Sequence, residues 1–137
     1  MSAGWEEEEL DDEAAGTAGT GQPAPEPAFP DVTTFVTAYL AKVTEVRLGG
    51  QLTWCPQWWR HAGAMVRLEA LWRAWEVLRL QPGGLSSWVT SHYDPHMRQL
   101  LDADHGPFSS CTKGHRPGDG LKVEAPPTNW RDLPLGS

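Results

Sequence analysis

The 137-residue chain has only two cysteines, Cys55 and Cys111. Two thiols are too few for the disulfide framework that staples small secreted domains, so a reducing compartment is expected. No apolar run approaches the roughly 20 residues that a membrane-spanning helix needs. The first residues lack the basic and apolar regions of a secretory signal. These absences predict a cytoplasmic protein that does not engage a membrane. Positive charge is missing from residues 1–28, which carry Glu6, Glu7, Glu8, Glu9, Asp11, Asp12, Glu13 and Glu26 but no Lys or Arg. That segment contributes −8 to a formal net charge of −7, leaving +1 for the remainder. A body so nearly neutral lacks the basic surface that phosphate contacts demand, which argues against nucleic acid as its partner. Phosphate loops, dinucleotide fingerprints, nucleophile elbows and supported carboxylate pairs are also missing. His92, Asp94 and Cys111 can be drawn as a catalytic trio, but a chain with five histidines offers such trios freely. The expectation is a non-enzymatic protein.

Glycine (14) and proline (12) are plentiful and concentrated towards the two ends, which limits the length that can fold. Residues 1–28 combine the acidic block with AAGTAGTGQPAPEPA, a composition that buries too little apolar surface to offset chain entropy. This predicts a disordered tail, with Trp5 and Leu10 able to anchor an acidic docking arm. Residues 29–112 form the expected domain, and residues 113–137 a second, Pro/Gly-rich tail.

Within the domain the apolar spacing is helical. Asp31 is a plausible N-cap for VTTFVTAYLAKVTEV, in which Phe35, Val36, Tyr39, Leu40 and Val43 make one stripe. That helix is expected to end before Gly49-Gly50, with a short hairpin across the two glycines as the weaker alternative. Residues 54–80 hold five of the eight tryptophans. A short helix opening at Pro56 is expected to carry Trp58 and Trp59, with a break near residues 61–63. Met65, Leu68, Leu71, Trp72, Trp75 and Leu78 then repeat every three or four residues, which marks a buried face. Pro82-Gly83-Gly84 stops that helix. Ser86 opens a segment around Trp88, and Asp94-Pro95 either kinks it or starts a new helix. Phe108 is read as a plug that packs back on the core. The fold expected is all-α, a small domain of three to five helices between disordered tails.

The run Gly49-Gly50, Trp54-Cys55, Trp58-Trp59, His61 and then Arg67 to Glu76 resembles a family of small actinobacterial proteins, domain-of-unknown-function family 4913. The likeness continues through Trp88, His92, Asp94, His96, Leu100, Gly106-Pro107-Phe108 and Cys111. This chain departs from the family pattern at His61-Ala62-Gly63, where relatives have His-Pro-Glu, and at Trp88-Val89, where they have adjacent tryptophans. The resemblance implies a mobile or conjugative element as genomic context and carries no activity with it.

Two constellations remain. Most tryptophans suit the core, but Trp59 must point away from its neighbour Trp58. With Arg60 and His61 it makes a candidate partner-binding patch, to which Trp5 in the acidic tail adds a second anchor. The other constellation is His92-x3-His96 with Cys111-x3-His115, and with Cys55 and His61 upstream. An unbroken helix through 92–96 would set both imidazoles one turn apart, as a metal pair requires. The leading expectation is therefore an accessory protein-interaction module that needs no cofactor. The alternative is a zinc-stabilised protein using His92, His96, Cys111 and His115, associated with DNA.

Overall fold

The computed structural model describes residues 25–134, and the acidic block with Trp5 and Leu10 lies outside them. The described residues form three helices with no strand beyond isolated bridges, as the apolar spacing predicts. Helix α1 spans residues 32–43. It is α-helical over Val32–Phe35, widens into a π-helix at Val36–Leu40, and closes with Ala41–Val43. Asp31 caps it, its carboxylate accepting from the Thr34 N–H at 2.8 Å. The helix ends earlier than expected because Thr44 turns extended, its hydroxyl bonded to the Leu40 carbonyl and paired with the Tyr93 hydroxyl.

Helix α2, Ala62–Leu78, follows a 3-10 turn at Trp58–Arg60. The chain bends at His61, which has extended backbone (φ −107°, ψ 110°), so the expected break falls one residue before the helix starts. Helix α3 spans residues 84–100 as Gly84–Trp88, a π-helical Val89–Tyr93 and Asp94–Leu100. Pro95 follows directly on the π-helical turn, and the helix continues through it although an interior proline donates no ladder bond. The turn joining α2 to α3 is close. Gly83 has a left-handed φ of 70°, and a Cβ on Gly84 would lie 1.7 Å from the Leu78 carbonyl oxygen. Only glycine fits there.

The three helices enclose Phe35, Leu40, Leu68, Leu71, Trp88, Leu100 and Phe108, all fully buried. Trp88 also donates its indole N–H to the Leu71 carbonyl at 3.0 Å, so the largest core side chain leaves no polar group unpaired. Phe29 and Tyr39 pack against Trp75, and the Trp72 indole N–H bonds the Phe29 carbonyl at 3.1 Å. The entry segment is thus tied to α2 before α1 begins.

Two irregular segments meet at the end of α3. Gly49 and Gly50 turn with positive φ, and Leu52 bridges antiparallel to Asp102. The Thr53 N–H bonds the Leu101 carbonyl, and the Ala103 N–H bonds the Gln51 carbonyl, each at 2.9 Å. This short pairing carries the chain past the α3 terminus and delivers Cys55 and His61 beside Phe108 and Cys111. Contacts with the body continue past Thr112, through His115 and Arg116. Residues 117–134 are exposed throughout and irregular apart from one 3-10 turn, Trp130–Asp132.

Candidate metal centre

Cys55, His61, Cys111 and His115 converge from two loops, and their four ligand atoms all lie within 4.8 Å of one another. The contacts interlock. Cys55 Sγ lies 3.3 Å from His115 Nδ1, and Cys111 Sγ lies 3.3 Å from His61 Nε2 and 4.0 Å from His115 Nδ1. A tetrahedral zinc with Zn–S of about 2.3 Å and Zn–N of about 2.0–2.1 Å would have ligand–ligand edges of about 3.4–3.8 Å. The cluster is thus already close to the size such an ion needs.

Local sequence explains each position. Pro56 follows Cys55 and leads into a turn whose Gln57 N–H points back at the Cys55 sulfur. Cys111 closes the 3-10 turn Ser109–Cys111, and its sulfur accepts the Arg116 N–H at 3.3 Å as the chain folds back. In its protonated state the same thiol donates to the Arg116 carbonyl, also at 3.3 Å. Backbone N–H groups aimed at sulfur favour the thiolate, which is the ligand form. His61 is held edge-on to Phe108, with ring centroids 5.2 Å apart.

The site is dry. Cys55 is fully buried, His61 is 3% exposed and Cys111 4%, while His115 is half-buried. Burial first, and then the His115 ring, hold the His61 imidazole below its ordinary pKa, so it stays neutral and able to ligate. Burial chiefly, together with the adjacent Cys111, pushes the Cys55 thiol up, against the opposing pull of the Gln57 N–H and Arg60. Two thiols and two imidazoles this close would be poorly matched as an apolar core but suit a cation that neutralises the thiolates.

The structure brings Cys111 and His115 together with Cys55 and His61, not with His92 and His96. His96 Nδ1 instead lies 3.2 Å from Arg67 Nη1, and burial, Arg67 and His92 hold its pKa down. His92 falls in the π-helical turn Val89–Tyr93. His105, the remaining histidine, pairs with Asp102 at 3.7 Å on the surface. Of the expected partner patch, Trp59 is 55% exposed and Arg60 is exposed, whereas His61 faces inward on Cys111. Trp5 lies outside the described residues.

A cleft of about 510 Å³ opens beside the cluster, walled by His61, Gly63 and Pro107 on the body and by Pro117, Gly118 and Asp119 on the returning chain. Among the described residues, no helix is long and apolar enough to cross a membrane.

The family model Domain of unknown function (DUF4913) matches residues 29–129, and the chain belongs to that family. The match begins at the Phe29 anchor and runs beyond His115, so it takes in both loops of the cluster. No curated protein and no solved structure matches the chain.

Proposed function

We propose that this chain is a non-enzymatic helical module stapled by one structural zinc ion, with Cys55, His61, Cys111 and His115 as the four ligands. The observation that carries the reading is the convergence of these four ligand atoms to within 4.8 Å of one another, in a buried pocket fed by two separate loops. Four protein ligands leave no open coordination position, which favours a structural role over a catalytic one. A domain of this size has a modest core, and a structural zinc can contribute on the order of 10 kcal/mol or more to folding. The ion would pin residues 111–116 to the loop before α2, and with them the wall of the adjacent cleft. The exposed Trp59 beside Arg60 supports protein interaction as the module's task. Its setting, on the strength of the family resemblance and of a composition rich in Arg relative to Lys, is the mobile-element complement of an actinobacterium.

The test is elemental analysis of protein purified without a polyhistidine tag. One zinc per chain is expected, absent in Cys55→Ser, together with a lower melting temperature after chelation. Cobalt substituted for zinc should give the absorption of a tetrahedral site with two sulfurs. Metal-free protein whose melting ignores both chelator and added zinc would overturn the reading.

A further inference from the structure

We infer that the acidic block of residues 5–13 docks intramolecularly into the apolar groove at the far end of α1. The groove shares no lining residue with the metal cluster. It has a volume of about 190 Å³ and is lined by Leu40, Thr44, Val46, Leu48, Trp54 and Met97, among others. Val43, Val46 and Leu48, on or beside it, are 43%, 45% and 50% exposed, an apolar strip that the described residues leave uncovered.

Charge singles out the occupant. Lys42, Arg47 and Arg98 each adjoin a groove residue in sequence, and none has an ion-pair partner among the described residues. The acids nearest in sequence are Glu45 and Asp102, and the Asp102 carboxylate is engaged by the Asp104 and His105 N–H groups. The groove therefore has an apolar floor whose sequence neighbours carry three cations against Glu45 and the engaged Asp102. Residues 5–13 read WEEEELDDE, two large apolar side chains interleaved with seven acids and no base. No other stretch of the chain has that character.

Length fits as well. The described chain starts at the opposite end of α1, where Arg79 holds the Glu26 carbonyl at 3.0 Å and Glu76 holds the Ala28 and Phe29 N–H groups. Residues 32–43, at about 1.5 Å per residue, set the groove about 18 Å from that anchor. Residues 14–24, AAGTAGTGQPA, number 11, a length that at about 3.3 Å per residue reaches at most about 36 Å, enough to cross that distance. A tether able to span its sites raises the effective concentration to as much as the order of millimolar, so even a weak contact is populated.

The test uses the full chain labelled with 5-fluorotryptophan, with resonances assigned by single Trp→Phe variants. Trp54 lines the groove, so Trp5→Ala should shift the Trp54 resonance and leave those of Trp59 and Trp130 in place. Leu48→Asp, at an exposed position, should move the Trp5 resonance to its value in a free peptide of residues 1–13. High salt should do the same to a lesser degree. A labelled peptide of residues 1–13 should bind a chain lacking those residues at least tenfold more tightly than it binds the full chain. The inference is overturned if Trp54 is indifferent to Trp5→Ala, or if Leu48→Asp leaves Trp5 unmoved. It is equally overturned if the shortened chain self-associates through the groove and ignores the peptide, since a second copy would then be the occupant.

Discussion

His115 Nδ1 lies 3.3 Å from Cys55 Sγ, across 60 residues of chain, while His61 Nε2 makes the same 3.3 Å approach to Cys111 Sγ. Each loop thus supplies one thiol and one imidazole, and each thiol faces the other loop's imidazole. An ion held between them joins the loops twice over, so losing any one ligand loosens both crossings.

The ligand sets predicted by geometry and by the 92–96 spacing separate cleanly under mutation. Cys55→Ser, His61→Ala and Cys111→Ser are each expected to abolish stoichiometric zinc. His115→Ala, at the half-buried corner, should weaken binding by orders of magnitude. His92→Ala and His96→Ala should retain one zinc per chain. Metal content by mass spectrometry, with circular dichroism to check folding, distinguishes the two sets. Zinc lost in His92→Ala but kept in His61→Ala would refute the assignment.

The core makes a second prediction. Trp88 fills the space between α1 and α2 and satisfies the Leu71 carbonyl. Trp88→Ala should cost about 3–5 kcal/mol through the cavity it opens. Trp88→Phe should cost less, about 1–3 kcal/mol, from a smaller cavity and the loss of the indole bond to a carbonyl that keeps its helical partner. Urea denaturation monitored by far-ultraviolet dichroism measures both, and equal costs would show that the ring volume retained by Phe contributes nothing.

The fold was legible in the sequence because apolar spacing is a local signal. Leu68 and Leu71 in α2, Phe35 and Leu40 in α1, and Trp88 in α3 all declare buried faces within a few residues. The π-helical turns at Val36–Leu40 and Val89–Tyr93 leave no such trace, since they shift the period by one residue within a face that stays apolar. The site was half legible. Cys111-x3-His115 carried a metal spacing, but its partners are set by the pairing of residues 51–53 with 101–103, a tertiary contact without a sequence signature. His92 and His96 had the better local geometry and lie on α3 away from both loops. Cys55 and His61 stood upstream of that constellation in the sequence, and the signal that ranks them above His92 and His96 is chemical economy: both of the chain's cysteines, each within a few residues of a histidine, in segments dense with turn formers.

The turn between α2 and α3 gives a third prediction. A methyl group at residue 84 would meet the Leu78 carbonyl at 1.7 Å, a backbone atom that cannot swing aside. Gly84→Ala should therefore destabilise by several kcal/mol, as overpacking against backbone exceeds the usual ~1–3 kcal/mol for a repackable core. Gly83→Ala meets open space and should cost only the ~1 kcal/mol of a left-handed alanine. Thermal melts of the pair that came out equal would contradict the close approach.

Glu76 gives a pH prediction. Burial alone would raise its carboxyl, but the Phe29 and Ala28 N–H groups and the Arg79 guanidinium outweigh that and hold it below the ordinary glutamate value of 4.5. A depressed carboxylate contributes stability that is fully present above 4.5 and is lost as pH falls through its lower folded value. The melting-temperature difference between wild type and Glu76→Gln should thus be constant from neutrality to about pH 5 and shrink below 4.5. A difference that grows on acidification would reverse the sign of the argument.

Metal removal should act locally before it acts globally. The chain after Cys111 is held by His115 at the cluster and by the Arg116 N–H on the Cys111 sulfur, while nearly every other residue to 134 is exposed. Lys113 stands inside the loop that Cys111 and His115 close, whereas Lys122 and Arg131 lie beyond it. Arg116 precedes Pro117 and offers trypsin no site of its own. In the zinc-loaded protein, trypsin should cut after Lys122 and Arg131 readily and after Lys113 slowly, because a closed loop presents its backbone poorly to a protease. Chelation should accelerate the Lys113 cut by tenfold or more while leaving the two outer cuts unchanged. His115→Ala should reproduce that pattern without chelator, since it frees the same loop and leaves α1, α2 and α3 packed. New cuts after Arg67 and Arg73, within α2, would mean that the ion holds the whole fold, and no acceleration anywhere would mean that it does not hold this loop.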